Sequence, residues 1–74
     1  MWDEGMIMLD KTAYHYFVKH FDEGSKCGIN GGKISKLEIR KNNVIAVHYD
    51  RGWIARPITE VENIIYEMII KLYN

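Results

Sequence analysis

The glycine-rich stretch Gly28–Lys33 is the first place where this sequence offers groups that could hold a ligand. Backbone N–H groups cradle phosphates in loops of the pattern G-x-x-x-x-G-K-[ST] that join a strand to a helix. Here Cys27 replaces the first glycine of that pattern, Ile34 replaces the Ser or Thr, and a strand is predicted to follow. A Walker-type loop is therefore excluded. A looser anion site of backbone N–H groups beside Lys33 stays open, as do glycines that only permit tight turns.

Histidine and cysteine are the other residues that commonly bind metals or act in catalysis. His15, His20 and His48 have no metal-ligand spacing with one another or with Cys27. Cys27 has no neighbouring histidine or helix N-terminus that would activate its thiol. Paired-carboxylate, G-x-S-x-G and H-E-x-x-H patterns are missing from the sequence. We therefore predict a protein that is not an enzyme and that needs no metal or cofactor.

The run Tyr49–Trp53 concentrates residue types that are common at protein interfaces. Trp, Tyr and Arg are enriched at interface hot spots, and Tyr49, Arg51 and Trp53 supply one of each. Alternatively, Trp53 plugs the end of a small core and the residues before it form a turn. Both interpretations are open at this point.

Charge is balanced over the chain but not along it. Ten Lys and Arg residues face ten Asp and Glu residues, so the formal net charge is zero. Overall electrostatics therefore indicate neither a nucleic-acid binder nor a membrane-surface protein. Residues 26–56 hold seven cations and two anions, or +5, whereas the rest of the chain holds three cations and eight anions, or −5. The basic segment is either solvated surface or a face for a polyanion or an acidic protein.

Length and hydropathy predict one cytoplasmic domain over residues 1–74. No apolar run approaches the ~20 residues that a membrane span needs, and the start Met1–Glu4 is acidic where an export signal would be basic. A lone Cys27 excludes an intrachain disulfide and is typical of a reducing cytoplasm. We expect no membrane contact.

One helix is predicted, over Thr59–Tyr73. Pro57 precedes it, and Thr59 with Glu62 forms a T-x-x-E capping box. Its apolar residues recur at helical spacing, which predicts one face against a sheet and a second flank against the sheet edges, a second subunit or a partner. The predicted face comprises Val61, Ile64, Ile65, Met68, Ile69 and Leu72, and the flank comprises Tyr66, Ile70 and Tyr73.

The residues before the helix predict four antiparallel strands. Met6–Leu9 and Ala13–Phe21 form a first hairpin, in which we prefer Tyr14, Tyr16 and Val18 as the inward set. The connection that follows, Asp22–Lys33, is long for so small a domain, and such loops are often functional or mobile.

Ile34–Arg40 and Val44–Asp50 form a second predicted hairpin around a three-residue loop, Lys41-Asn42-Asn43. This register pairs Ile39 with Ile45, Leu37 with Val47 and Ser35 with Tyr49. The inner face would then carry Leu37, Ile39, Ile45, Val47 and Tyr49, and the outer face His15, Phe17, Lys36, Arg40 and His48. The predicted fold is α+β: a four-stranded antiparallel meander sheet with one C-terminal helix packed on one face, and an outer face that is a binding surface or a dimer seam.

Two runs, Gly28–Leu37 and Tyr49–Trp53, followed by a short C-terminal helix, resemble a family of small uncharacterised proteins. That family is carried by Gram-positive anaerobes and by their phages or other mobile elements. The resemblance covers nearly the whole chain, including the acidic start Trp2–Gly5, and departs at Ile54, where an acidic residue is expected. It implies a bacterial or phage cytosol and an accessory role, and it assigns no catalytic residue.

These observations favour a non-enzymatic protein that binds a macromolecular partner, for example as an anti-CRISPR-like inhibitor of a host defence complex. The predicted contact residues are Lys33, Lys36, Arg40, His48, Tyr49, Arg51 and Trp53. One alternative is a nucleic-acid or nucleotide binding module that uses the basic segment 26–56, with Tyr or Trp stacked on bases. Another is a structural homodimer subunit.

Overall fold

Residues 2–74 are described here from a computed structural model. They form an antiparallel sheet with strand order β1-β2-β3-β4-β5, followed by one α-helix. The elements are β1 (Trp2–Leu9), β2 (Thr12–His20), a short 3-10 helix (Ile29–Gly31), β3 (Ile34–Lys41), β4 (Val44–Asp50), β5 (Trp53–Ala55) and α1 (Glu60–Tyr73). The predicted α+β meander with a C-terminal helix is confirmed. The sheet has five strands rather than four, because Trp53–Ala55 pairs with β4.

Two-residue turns close both long hairpins. Asp10 and Lys11 join β1 to β2 with φ of 51° and 64°, and Asn42 and Asn43 join β3 to β4 with φ of 52° and 64°. Two successive residues at positive φ match the twist of antiparallel strands, and Asn and Asp tolerate that conformation. The predicted three-residue loop is therefore wrong, since Lys41 pairs with Val44 as the last pair of the ladder.

A bulge at Ala46 corrects the predicted register of the second hairpin. Arg40 pairs with Ile45, whereas Ile39 pairs with Val47, so Ala46 is the extra residue on β4. Because of the bulge, the hairpin has both a two-residue turn and an apolar inner face. The bulge also turns Ile45 away from the core, where the side chain is 42% exposed. Leu37, not Ser35, is the partner of Tyr49.

The core lies between the inner face of the sheet and α1. The preferred inward set Tyr14, Tyr16 and Val18 is confirmed. Ile29 from the glycine-rich connection is also fully buried, so the connection covers one end of the core. The buried apolar residues are Tyr14, Tyr16, Val18, Ile29, Ile34, Leu37, Ile39, Val47, Tyr49, Ile65, Tyr66 and Ile69.

Helix α1 is rotated relative to the predicted contact face. Ile65 and Ile69 are fully buried, as expected, but the neighbouring buried residue is Tyr66 from the predicted flank. Its ring lies 5.5 Å from that of Trp53, and the Tyr73 hydroxyl lies 3.2 Å from that of Tyr16. These aromatic contacts turn the helix toward its tyrosine side. Three residues of the predicted face, Ile64, Met68 and Leu72, are therefore exposed.

Local interactions fix both ends of α1. Thr59 Oγ1 accepts a hydrogen bond from the Glu62 backbone N–H, and Glu62 Oε1 accepts one from the Thr59 N–H, so the predicted capping box is confirmed. Beyond the last turn, Asn74 Oδ1 accepts a bond from the Ile34 N–H at 3.0 Å, and Asn74 Nδ2 donates to the Ile29 carbonyl at 3.2 Å. Asn74 thereby joins the end of the helix to the glycine-rich connection and to β3. Within residues 2–74, neither helix has the length and apolarity to cross a membrane.

Candidate binding surface

The face of the sheet opposite α1 is uncovered, and we call it the outer face. It consists of the side chains that alternate with the core positions of β1 to β4. Its members are Trp2, Glu4, Met6, Met8, His15, Phe17, Lys19, Lys36, Glu38, Arg40, Ile45, His48 and Asp50. Two properties divide this face, because one end is mainly apolar and the other is basic.

The apolar end lies beside the two hairpin turns. Met6 and Met8 of β1 are 56% and 60% exposed, and Ile45 lies on the same side of the sheet. Between them, the guanidinium carbon of Arg40 lies 5.4 Å from the centre of the Phe17 ring, while Arg40 Nη2 donates to Glu38 Oε2 at 3.1 Å. This end therefore combines large apolar groups with charges of both signs.

The basic end surrounds a cavity of about 470 Å³. Its cations come from four separate segments: β2, the long connection, β3 and the turn after β4. Hydroxyl groups of two serines also line it. These residues are Lys19, Lys26, Lys36, Arg51, Ser25 and Ser35. We call this site the basic cavity.

Aromatic rings flank the basic cavity. Phe21 lines it, and the Lys19 ammonium lies 5.6 Å from the centre of the Phe21 ring and 5.9 Å from that of Trp2. A smaller adjoining cavity of about 210 Å³ is lined by Trp2, Lys36 and His48 among others. Both residues are about half exposed, and the Lys19 ammonium lies over one face of each ring.

A second apolar surface lies on α1, on the side away from the sheet. Ile64 and Met68 are each 43% exposed, and Leu72 follows one turn later. Their spacing of four residues aligns them in one stripe along the helix. We call these three residues the helix stripe.

Comparison with known protein families identifies the family of this chain. A family model described as a domain of unknown function (DUF7678) matches residues 1–74. The chain belongs to this family. No curated protein and no solved structure matches it. The resemblance to an uncharacterised family is thus confirmed, and membership in DUF7678 assigns no activity to any residue.

In this DUF7678 domain, the Tyr49–Trp53 cluster contributes mostly to the core. Tyr49 is buried and its hydroxyl donates to the Cys27 carbonyl at 2.7 Å, so most of its side chain packs inside the domain. The Trp53 ring stands edge-on to the Tyr49 ring at 5.1 Å and is covered by the Arg56 guanidinium at 5.1 Å. Trp53 closes the edge of the core, which favours the second of the two interpretations given above. Arg51 alone of the cluster's interface-type residues is well exposed.

The other predicted contact residues are dispersed over the DUF7678 domain. Lys36 and Arg51 meet at the basic cavity. His48 lies at the adjoining smaller cavity, and Arg40 lies toward the apolar end of the outer face. Lys33 is exposed in the connection and does not line the basic cavity.

The glycine-rich connection of the DUF7678 domain folds back on itself. The N–H groups of Gly28, Gly31 and Gly32 donate to the carbonyls of Ser25, Gly28 and Ile29 at 3.1, 3.0 and 2.8 Å. Since these donors are used internally, the turn interpretation of the glycines is favoured over an anion nest. Gly32 also makes space for Asn74, because a Cβ atom at Gly32 would lie 2.2 Å from Asn74 Nδ2.

The histidines of the DUF7678 domain lie apart from one another. Among residues 2–74, no group of three or more His, Cys, Asp or Glu could hold a metal ion. His15 and His48 are separated by β3, and His20 bonds to Asp3 at 2.6 Å.

Two tyrosines have raised pKa values. The hydrogen bond to Tyr16, together with burial, raises the pKa of Tyr73 to about 12. Burial, followed by the nearby Glu67 charge, raises the pKa of Tyr66.

Sequence reasoning missed Trp2, Met6 and Met8 as surface residues. Their even spacing along one strand was the available signal, since residues two apart share a face of a sheet. The acidic pair Asp3 and Glu4 obscured it by interrupting the apolar run.

Proposed function

We propose that this protein is a non-enzymatic binding module that docks a partner protein on the apolar end of its outer face. The observation that carries the proposal is the exposure of Met6 and Met8 together with Ile45 on a sheet face that no other element covers. Met6 and Met8 share one face of β1, whereas Ile45 lies on β4, beyond His15 and Arg40. Large exposed apolar groups rimmed by polar residues are typical of interaction sites.

The local charges favour a protein as the partner at this end. Glu4, Glu38 and Arg40 surround Phe17, so the surface alternates in sign rather than presenting a uniform positive field. Nucleic-acid interfaces are much more positively charged than such a surface. Methionine side chains are flexible and polarizable, which suits them to adapt to a partner's contour.

The resemblance to proteins of Gram-positive bacteria and phages directs the choice of partner. We propose an accessory role in the bacterial cytosol, in which the protein inhibits a host defence complex by occupying one of its surfaces. The alternative of a structural homodimer predicts that a second copy covers the same face, and the test below separates the two.

Two variants of one residue type test the surface. Met6→Glu places a charge on the apolar end, and Met68→Glu places the same charge on the helix stripe, where the side chain is similarly exposed. The wild type and both variants are used to capture proteins from a Gram-positive host lysate treated with nuclease. Affinity for the captured protein is then measured with purified components, and the mass of each variant in solution is determined by light scattering.

We expect Met6→Glu to lower the affinity for the partner at least about tenfold, because a carboxylate must be desolvated at the interface. Met68→Glu should bind the partner like the wild type. Equal binding by both variants would refute the outer face as the site. Loss only in Met68→Glu would assign the site to the helix stripe. A wild-type dimer that Met6→Glu converts to a monomer would replace the inhibitor proposal by the homodimer.

A further inference from the structure

We infer that the basic cavity binds the phosphate of a nucleotide, with the rings of Phe21 and Trp2 against the base. The nucleotide is either free or one unit of a single strand, since both present the same phosphate and planar ring. This site uses the basic end of the outer face and is independent of the partner proposed for the apolar end.

Positive charge is concentrated at this cavity. Four of the chain's ten Lys and Arg residues line it, and none of the Asp and Glu residues of the described part of the chain does. Among the ion pairs within residues 2–74, only Lys36 of these four takes part, at 3.7 Å from Asp50. Like charges gathered around one cavity repel each other. A bound anion would offset that repulsion, which makes a negatively charged ligand the expected occupant.

The walls of the cavity are held in place by the fold. The Arg51 N–H donates to the Ser35 carbonyl at 2.9 Å, and Arg51 has φ of 57°, a left-handed conformation that residues with a side chain rarely adopt. Beside it, Cys27 is fixed by the hydrogen bond from the buried Tyr49 hydroxyl. Arg51 Nη2 lies 3.8 Å from Cys27 Sγ. The cationic groups are therefore presented by an ordered frame, and a ligand need not order the loop itself.

The chemistry of the lining favours phosphate over a carboxylate. Lysine ammonium groups and a planar guanidinium together match the several oxygens of a phosphate, and the Ser25 hydroxyl adds a further donor. The cavity of about 470 Å³ falls within the usual ~300–1,000 Å³ of ligand sites.

The aromatic rings identify the second part of the ligand. Trp2 and Phe21 are 57% and 49% exposed, and both lie within 6 Å of the Lys19 ammonium. Exposed rings beside a positively charged groove are how single-stranded nucleic acids are held without sequence readout. An inorganic anion would leave these rings unused, whereas a nucleotide engages them.

Two probes and three purified variants test the site. The probes are a fluorescein-labelled oligothymidylate of about ten nucleotides, followed by anisotropy, and adenosine diphosphate, followed by calorimetry, each at about 50 and about 200 mM NaCl. The variants are the double change Lys26→Gln/Arg51→Gln, the change Trp2→Ala, and Lys71→Gln as a control that removes a cation from the far side of the helix. Circular dichroism establishes that each variant is folded.

We expect at least one probe to bind, with the double variant at least about tenfold weaker, Trp2→Ala at least about fivefold weaker, and Lys71→Gln unchanged. For the oligonucleotide, up to four phosphate contacts predict a log–log salt slope of up to about −3.

Binding of the oligonucleotide alone identifies a single strand as the ligand, and binding of the diphosphate identifies a free nucleotide. The inference is overturned if neither probe binds, or if Lys71→Gln weakens binding as much as the double variant. An unchanged affinity in Trp2→Ala overturns the aromatic part. Met6→Glu should leave both probes unaffected, so failure here and failure of the proposed protein partner are distinguishable.

Discussion

Substitution of Asn74 by alanine probes the joint between the helix, the glycine-rich connection and β3. The Ile34 N–H loses its acceptor, and the Ile29 carbonyl keeps only its bond from the Gly32 N–H. Both isoleucines have no exposed surface in the wild-type fold, which limits the access of water to the groups that the amide leaves. An orphaned buried donor costs about 1–3 kcal/mol and a lost bond about 1 kcal/mol, which gives a destabilisation of about 2–4 kcal/mol.

That loss is large for a domain of this size. Native domains are stable by about 0.05–0.15 kcal/mol per residue, or about 4–11 kcal/mol here. A domain of this length loses about 4–8 °C of Tm per kcal/mol, so we expect Asn74→Ala to melt about 8–32 °C below the wild type. Urea denaturation supplies the free energy of unfolding, and amide exchange reports the Ile34 N–H directly.

Asn63→Ala is the matched control on the same helix. The Asn63 amide donates to the Thr59 carbonyl at 3.0 Å, but it does so at the surface, where water substitutes for it. Its removal should cost no more than about 0.5 kcal/mol. If the two alanine variants unfold at the same urea concentration, or if the Ile34 amide keeps its protection in Asn74→Ala, the joint does not stabilise the fold as argued.

Three further predictions concern other contacts. The pKa of Tyr73 is raised above its unfolded value of about 10, so its contribution to stability is full below pH ~10 and is lost as the pH rises toward about 12. Thermal melts from pH 9 upward should show this decline, and Tyr73→Phe should reduce it. An unchanged decline in that variant would argue against the hydrogen bond to Tyr16 as its source. Gly5→Ala places a Cβ 2.6 Å from the Tyr16 hydroxyl oxygen and should cost about 1–2 kcal/mol in urea denaturation, whereas a neutral or stabilising effect would show that the ring moves freely. Thr59→Ala removes the cap that accepts the Glu62 N–H and should cost about 1 kcal/mol; a change below about 0.3 kcal/mol in calorimetry would mean that water replaces it.

The parts of the fold that were predictable are those set by neighbours in the chain. The capping box joins Thr59 to Glu62, and Pro57 precedes the helix, so a few residues suffice to place its start. Rotation of the helix was not predictable in this way. It depends on Trp53 and Tyr16, which meet Tyr66 and Tyr73 only once the sheet exists.

The strand register shows the same division. A pattern of alternating apolar residues predicts a ladder without bulges. A three-residue loop was the connection that gave the second hairpin such a ladder. The observed bulge at Ala46 lets the tight Asn42–Asn43 turn coexist with the pairing of Ile39 and Val47. A bulge shifts the alternation at one point, and strands of seven and eight residues leave too few positions on either side to detect the shift.

The positive charge of the basic cavity could be predicted from the sequence, but the full set of residues that line it could not. Lys36 and Arg51 lie in the segment of net charge +5, which was interpreted either as solvated surface or as a face for a polyanion or an acidic protein. Lys19 lies outside that segment. It joins them because β2 and β3 are neighbours and the connection between them folds back over Tyr49. No local pattern encodes that approach.

Strand order has a consequence for how quickly the chain folds. Every pairing in the sheet joins strands that follow one another in the sequence. The β1-β2 and β3-β4 hairpins close two-residue loops at low entropic cost, whereas β2 and β3 pair across the long connection 21–33. The helix, by contrast, must reach back across the chain to cover Val18 and to bond Ile34. We therefore expect the transition state to contain the hairpins with the helix still undocked. Replacing Ile69 by valine would then mainly accelerate unfolding, whereas weakening the Asn42–Asn43 turn would mainly slow folding.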